Sequence, residues 1–235
     1  MEKIMATVLI TGANRGLGLE FCRQYAAAGW QVFAACRNPK LAEDLCKLAA
    51  AYPAIQLEIL DVTDFSQIDA LAEKLANQAI DVLINNAGVY GDNKTNGFGD
   101  MDYAAWTTVL QVNTQAPVKM AEAFLPQLKL GSNKLIANVS SLMGSISDNT
   151  SGGSIMYRSS KAALNAAMKS LAIELGKQQI GVITLHPGWV KTDMGGPKAL
   201  IEVQDSVSGM RAVLANFTLA QSGGFIKFDG TNLPW

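Results

Sequence analysis

The chain has 235 residues, 49% of them hydrophobic, and a formal net charge of -1. That supplies a sizeable core and argues against the basic footprint of a nucleic-acid or anionic-membrane binder. Three cysteines without a Cys-x-x-Cys and a single histidine, His186, argue against a disulfide framework, a metal site and multi-imidazole chemistry.

Residues 4–10 read as a strand and 16–28 as a helix stopped by Gly29. A second strand (31–35) precedes a second helix (40–51) closed by Pro53, and a third strand (55–60) precedes a third helix (64–77). Asp64 is the expected N-cap of that helix. A fourth strand (81–84) leads into a Gly/Asp/Asn-rich loop from 88 to about 100. A long helix is expected over 103–130, with Pro117 and Pro126 marking a kink and an end. Residues 134–139 form a fifth strand, 157–177 an alanine-rich helix, 180–185 a sixth strand, 205–215 a short helix and 224–227 a last strand. No repeat, linker or low-complexity segment interrupts the series. The expectation is one α/β domain, 1–235, built as a doubly wound parallel sheet of Rossmann type with helices on both faces. No stretch reaches the ~20 apolar residues that span a bilayer, and the N-terminal segment lacks a signal-peptide pattern, so a cytoplasmic protein is expected.

In open sheets of this kind ligands bind beyond the carboxyl ends of the strands. The first such loop reads Thr11-Gly12-Ala13-Asn14-Arg15-Gly16-Leu17-Gly18. Its place between strand and helix suits a dinucleotide fingerprint, with Gly12 making the turn and Gly16 and Gly18 allowing close approach to a pyrophosphate. The spacing also fits an ordinary glycine-rich turn. After the second strand an NAD site carries an acid for the adenosine ribose; here Cys36-Arg37 stand instead. Arg37 and Arg15 are expected to receive a 2′-phosphate with no acid nearby, which selects NADP(H) over NAD(H); the alternative for Arg37 is a solvated surface charge. Asp61-Val62 follow the third strand, where Asp61 either takes an adenine amino group or caps the next helix. Asn85-Asn86-Ala87-Gly88 follow the fourth, small enough for backbone to lie against a cofactor, with an asparagine tying strands together.

Two Tyr-x-x-x-Lys pairs occur, Tyr90–Lys94 and Tyr157–Lys161. The first lies in turn composition, the second in helical composition that puts both side chains on one face. A neighbouring ammonium is expected to lower a tyrosine pKa from near 10 towards neutrality. An ordinary helix-start tyrosine with an exposed lysine is the alternative.

Thr11-Gly12-x-x-x-Gly16-x-Gly18, Asn85-Asn86-Ala87-Gly88, Asn113, Ser140-Ser141, Tyr157-x-x-x-Lys161 and Pro187-Gly188 occur in this order. Together they resemble the short-chain dehydrogenase/reductase family over nearly the whole chain. The resemblance implies a nicotinamide-dependent oxidoreductase that acts on a small-molecule carbonyl or alcohol. Tyr157 resembles its general acid and Lys161 its ribose-binding lysine. Ser141, three residues before Gly144, resembles the hydroxyl that holds the carbonyl. Asn113 resembles the asparagine behind the lysine that anchors a water relay; a mid-helix polar residue bonded to backbone is the alternative. Pro187 and Gly188 resemble the turn that brackets the nicotinamide, with the Val190 backbone and the Thr192 hydroxyl as further cofactor contacts. His186 is expected to be structural. The family also implies a homodimer or homotetramer through helices 103–130 and 157–177.

Two features depart from the family pattern: a lengthened stretch between Ser141 and Tyr157, and a short loop after Thr192, 193–203, expected to leave the site open. With the C-terminal Phe-Asp-Gly-Thr-x-x-Pro-Trp these are most similar to the subgroup of Sniffer-type carbonyl reductases and bacterial C-factor proteins. The resemblance leaves an alternative to the enzyme, a nucleotide-binding signalling protein on the same fold.

Overall fold

The computed structural model describes residues 5–92 and 97–235. Seven strands form one parallel sheet in the order β3-β2-β1-β4-β5-β6-β7. They are β1 (Thr7–Thr11), β2 (Gln31–Cys36), β3 (Ile55–Ile59), β4 (Val82–Asn85), β5 (Leu135–Val139), β6 (Gly181–His186) and β7 (Phe225–Lys227). Strand order reverses between β1 and β4, which pair with Val8 opposite Val82. That switch point opens a crevice at the strands' carboxyl ends.

Every residue of β1 is buried because both faces of the sheet are covered. Side chains alternate between faces. Val8 and Ile10 pack with Phe21 of α1 (Gly16–Ala27), Leu45 of α2 (Glu43–Ala51) and Met210 of α8 (Val203–Ala215). Leu9 packs on the other face with Ile68 of α3 (Phe65–Lys74) and Met120, Phe124, Leu128 and Leu164 of the later helices. The buried carboxylate of Asp81 accepts from the amides of Thr7 (2.8 Å), Ser132 (2.7 Å) and Asn133 (3.2 Å), joining the starts of β1, β4 and β5.

Several boundaries differ from the sequence expectation. Strand 4–10 runs to Thr11, and its first residue lies outside the described residues. The second helix starts as a separate 3-10 turn, Pro39–Leu41, because Pro39 fixes the entry. Asp64 caps α3 through the amides of Ser66 and Gln67. The long helix is not continuous. It consists of α4 (Tyr103–Leu110), a π-helical turn Gln111–Gln115, α5 (Ala116–Ala123) and α6 (Leu125–Leu130). Pro117 and Pro126 sit in the first turns of α5 and α6, where a missing N–H costs nothing, so they begin helices rather than kink or end one. Helix α7 (Ile155–Gly176) starts two residues before Tyr157. Among the described residues no helix is long and apolar enough to cross a membrane.

Candidate active site

The glycine loop is pressed between two neighbours. A β-carbon on Gly12 would stand 2.9 Å from Ala87 Cα, and one on Gly18 would stand 2.1 Å from the Gly12 carbonyl oxygen. Gly16, at φ 53°, lies against the Thr192 methyl. Asn86 Nδ2 donates to the carbonyls of Thr11 (2.8 Å) and Gly12 (3.2 Å), and the Thr11 hydroxyl accepts from the amides of Asn86 and Ala87 (3.0 and 3.1 Å). No side chain caps the N-terminus of α1. The glycines let the loop pack tightly against the 86–87 turn and Thr192, and the uncapped amides at the start of α1 fit the pyrophosphate of a dinucleotide. Asn14 and Arg15 are exposed beside it, while Leu17 packs inward on the core.

Thr11, Val62, Asn85 and Ala87 line one small cleft at the switch point. Asn85 is buried and its amide nitrogen donates to Asn138 Oδ1 at 2.9 Å across β4–β5. Asp61 is engaged with the Thr63 amide and hydroxyl (2.9 and 2.7 Å), and the cap of α3 is Asp64, so the capping alternative for Asp61 falls. Arg37 stands exposed after β2. Arg15 is not free of acids, because it pairs with Asp193 at 2.8 Å, both side chains open to solvent. Sequence separation hid this partner, 178 positions away.

The catalytic candidates converge at the ends of β4 and β5. Ser140 turns inward, its hydroxyl donating to Asn165 at 2.7 Å. Ser141 instead caps a 3-10 turn, Leu142–Gly144, its hydroxyl accepting from the Met143 amide at 3.2 Å. Lys161 is buried, its Nζ 2.9 Å from the Val139 carbonyl and 5.7 Å from the Tyr157 ring centre. Gly88 lies close to Asn113: a β-carbon there would stand 3.3 Å from Asn113 Oδ1, and 3.6 Å from Lys161 Nζ. Asn113 sits in the π-helical turn and does not bond its own helix. Its Oδ1 accepts from Val89 N (2.9 Å), and its Nδ2 donates to the Val89 carbonyl (2.8 Å) and Ser160 (2.9 Å).

Electrostatics run against the expectation for Tyr157. Burial pushes its phenol up to about 12; the Ser141 hydrogen bond opposes this and nearby Tyr90 adds to it. Burial also pushes Lys161 down to about 8. Desolvation of both groups outweighs the lowering that spacing alone implied.

Beyond β6, Gly188 turns at φ 82° and Val190 is buried in a bridge to Ile201. The short loop after Thr192 folds back there, with Lys191 N donating to the Ile201 carbonyl and Trp189 Nε1 to Gly195. Pro187 accepts the Ser206 hydroxyl from α8 on its carbonyl at 2.6 Å. His186 ends β6, opposite Lys227 of β7.

Two neighbours of Tyr157 were not expected at the site: Tyr90, seen in the sequence only as the tyrosine of the other Tyr-x-x-x-Lys pair, whose ring centre is 4.8 Å from that of Tyr157, and Asp92, which accepts from the Tyr157 amide. Both fall in a stretch whose composition reads as a turn. Lys94, the fourth residue after Tyr90, lies outside the described residues.

A family model for short chain dehydrogenases matches residues 6–200. The chain is 43% identical over 166 residues to C-signal of Myxococcus xanthus, covering 71% of this chain and 99% of that protein. Carbonyl reductase Sniffer of D. melanogaster superimposes with a TM-score of 0.92 at 38% identity, over 98% of this chain and 100% of its own. The NADPH-bound carbonyl reductase from chicken fatty liver gives 0.90 at 38% identity, over 98% and 99%.

Proposed function

The chain belongs to the short-chain dehydrogenase family, and from that premise we propose that it is an NADP(H)-dependent oxidoreductase reducing an aldehyde or ketone to an alcohol. The observation that carries this reading is the convergence of the buried Tyr157 and, one helical turn on, the buried Lys161 beside the turn that Ser141 caps. The likeness to an NADPH-bound carbonyl reductase supports the cofactor and the substrate class.

Bound NADP(H) supplies the hydride. Gly12, Asn14, Gly16, Leu17 and Gly18 hold the pyrophosphate, and Arg15 and Arg37 the 2′-phosphate. Asp61 and Val62 border the adenine. Asn85, Ala87 and Gly88 border the central ribose region, and Pro187, Gly188, Val190 and Thr192 the nicotinamide end. Ser141 donates to the substrate carbonyl and Tyr157 gives that oxygen its proton, so the alkoxide never forms unprotected. Lys161, as an ammonium, binds the ribose hydroxyls and favours the phenolate that Tyr157 becomes. Asn113 holds the Val89 backbone beside this lysine.

The test is a panel of aldehydes, ketones and quinones followed by NADPH absorbance, with Tyr157→Phe beside the wild type. Wild-type turnover, lost in Tyr157→Phe while NADPH still binds, is expected; near-normal turnover in that variant overturns the assignment. A lower KM for NADPH than NADH is expected.

Identity to C-signal favours one second reading, a nucleotide-binding signalling protein. NADPH binding without turnover across the whole panel would select it. The four catalytic candidates argue for the enzyme, since binding alone has no use for all of them. A cytoplasmic homodimer or homotetramer built on α4–α6 and α7 completes the proposal; a monomer by light scattering at micromolar concentration refutes the assembly.

A further inference from the structure

Helix α7 begins without a cap of its own. Ser154, in the N-cap position, is left-handed at φ 47° and makes no side-chain cap bond. The first amides of a helix need acceptors from elsewhere. Asp92, from the loop after β4, supplies them: Oδ2 accepts from Tyr157 N at 2.8 Å and Oδ1 from Met156 N at 3.3 Å. A carboxylate there also meets the positive end of the helix dipole.

Two residues earlier, Tyr90 lies on the Tyr157 ring, with planes 36° apart. Its hydroxyl shares a 2.7 Å hydrogen bond with Ser154 Oγ. Between them Gly91, at φ 79°, is pressed on α4, where a β-carbon would meet Val109 Cγ2 at 2.2 Å. Helix α4 in turn bonds α7 through Trp106 Nε1 and Ser159 Oγ at 2.9 Å. One short stretch therefore touches the backbone, the ring and the preceding turn of the same tyrosine.

We infer that Tyr90 and Asp92 are positioning residues for Tyr157, Asp92 fixing the first turn of α7 and Tyr90 fixing the plane of the phenol ring. The inference rests on reading Tyr157 as the proton donor. A residue on a first helical turn sits where helices fray, and the phenol oxygen is the far end of a long side chain. Misplacing a reacting group by about 1 Å costs on the order of 100-fold in rate. Tyr90 and Asp92 remove that freedom through the ring and the backbone of Tyr157.

The test uses the full chain with NADPH and a carbonyl substrate from the panel. Tyr90→Ala and Asp92→Ala are each expected to lower kcat about tenfold or more, with the NADPH Kd within about twofold of wild type. Their primary isotope effect, measured with NADPH deuterated at the transferred position, is expected to rise as the chemical step slows. Tyr90→Phe keeps the ring and Asp92→Asn keeps an acceptor oxygen, so each is expected to recover most of the lost rate. Amide exchange at Met156 and Tyr157 should quicken in Asp92→Ala while Leu164 and Met168 stay protected.

Wild-type kcat in both alanine variants overturns the inference. So does a lower kcat with an unchanged isotope effect and fewer NADPH sites per chain, the mark of partial unfolding. Failure of the functional reading looks different, because Tyr157→Phe then turns over normally.

Discussion

Gly144 lies flat on Lys161: a β-carbon on the glycine would stand 2.8 Å from the Lys161 carbonyl carbon and 2.9 Å from its β-carbon. The 3-10 turn that carries Ser141 therefore rests directly on the helix that carries Tyr157. Neither neighbour is the end of a flexible side chain, so Gly144→Ala must part the turn from α7. We expect kcat to fall about 100-fold and stability by roughly 1–3 kcal/mol, read from steady-state kinetics and urea unfolding.

Lys161 trades stability for chemistry. Its ordinary value of 10.5 falls to about 8 on burial, so the folded chain holds this proton less tightly than the unfolded one. The cost is complete below pH 8 and fades as pH rises towards 10.5. Lys161→Met is expected to be inactive yet more stable at pH 7 by roughly 1–3 kcal/mol, a gain that shrinks above pH 8. Thermal unfolding at pH 7, 9 and 10 measures it; a less stable variant at pH 7 contradicts it.

The same lysine shapes the activity profile. On the proposed reading its ammonium form serves the ribose and the phenolate, and that form is lost as pH rises through about 8. Reduction rates measured from pH 6 to 9 are expected to decline on the alkaline side near that value.

His186 works in the opposite window. Burial, helped by Lys227, pushes its imidazole down to about 4 against the pull of Asp229 and Asp148, and its Nδ1 is buried without a partner among the described residues. The unfolded chain takes up this proton first. Stability is therefore intact above pH 6.5 and drains away as pH falls towards 4. His186→Leu should flatten this limb by about 2 kcal/mol, visible in denaturant midpoints at pH 7, 5.5 and 4.5.

Asp193 holds Arg15 at the crevice mouth. An exposed pair of this kind is weak, so a 2′-phosphate can displace it. Asp193→Asn is expected to tighten NADPH binding about two- to fivefold and leave NADH unchanged. Arg37→Ala should weaken NADPH about tenfold or more with NADH little affected. Fluorescence titration with both nucleotides separates the two effects.

The alternation of β-branched runs with longer amphipathic stretches was enough to place all seven strands, because a sheet buried on both faces writes itself as short apolar blocks. The glycine loop and the Tyr157–Lys161 pair were equally legible, being local in sequence. What could not be read is what depends on distant chain. Asp193 finds Arg15, and Asp92 finds the amide of Tyr157, only after the sheet has formed. The direction of the Tyr157 shift is hidden for the same reason: spacing reveals its lysine but not the burial of both. The π-helical turn is not legible because the run rich in β-branched residues from Thr107 to Thr114 fits a regular helix as well as a widened one, and the two prolines mark helix starts farther on.

That turn sets the frame in which the rest of the helix is read. Each residue added to or removed from a helix rotates everything beyond it by about 100°. Upstream of the turn Trp106 meets Ser159; within it Asn113 and Thr114 both reach Ser160; downstream Met120 enters the core. Along this path the contacts pass from α7 to the core beside the sheet. Point substitutions in 111–115 can leave that phase intact, whereas loss of a single residue there would turn Asn113 away from Val89 or Met120 away from the sheet. For this segment length is the constrained quantity, more than composition.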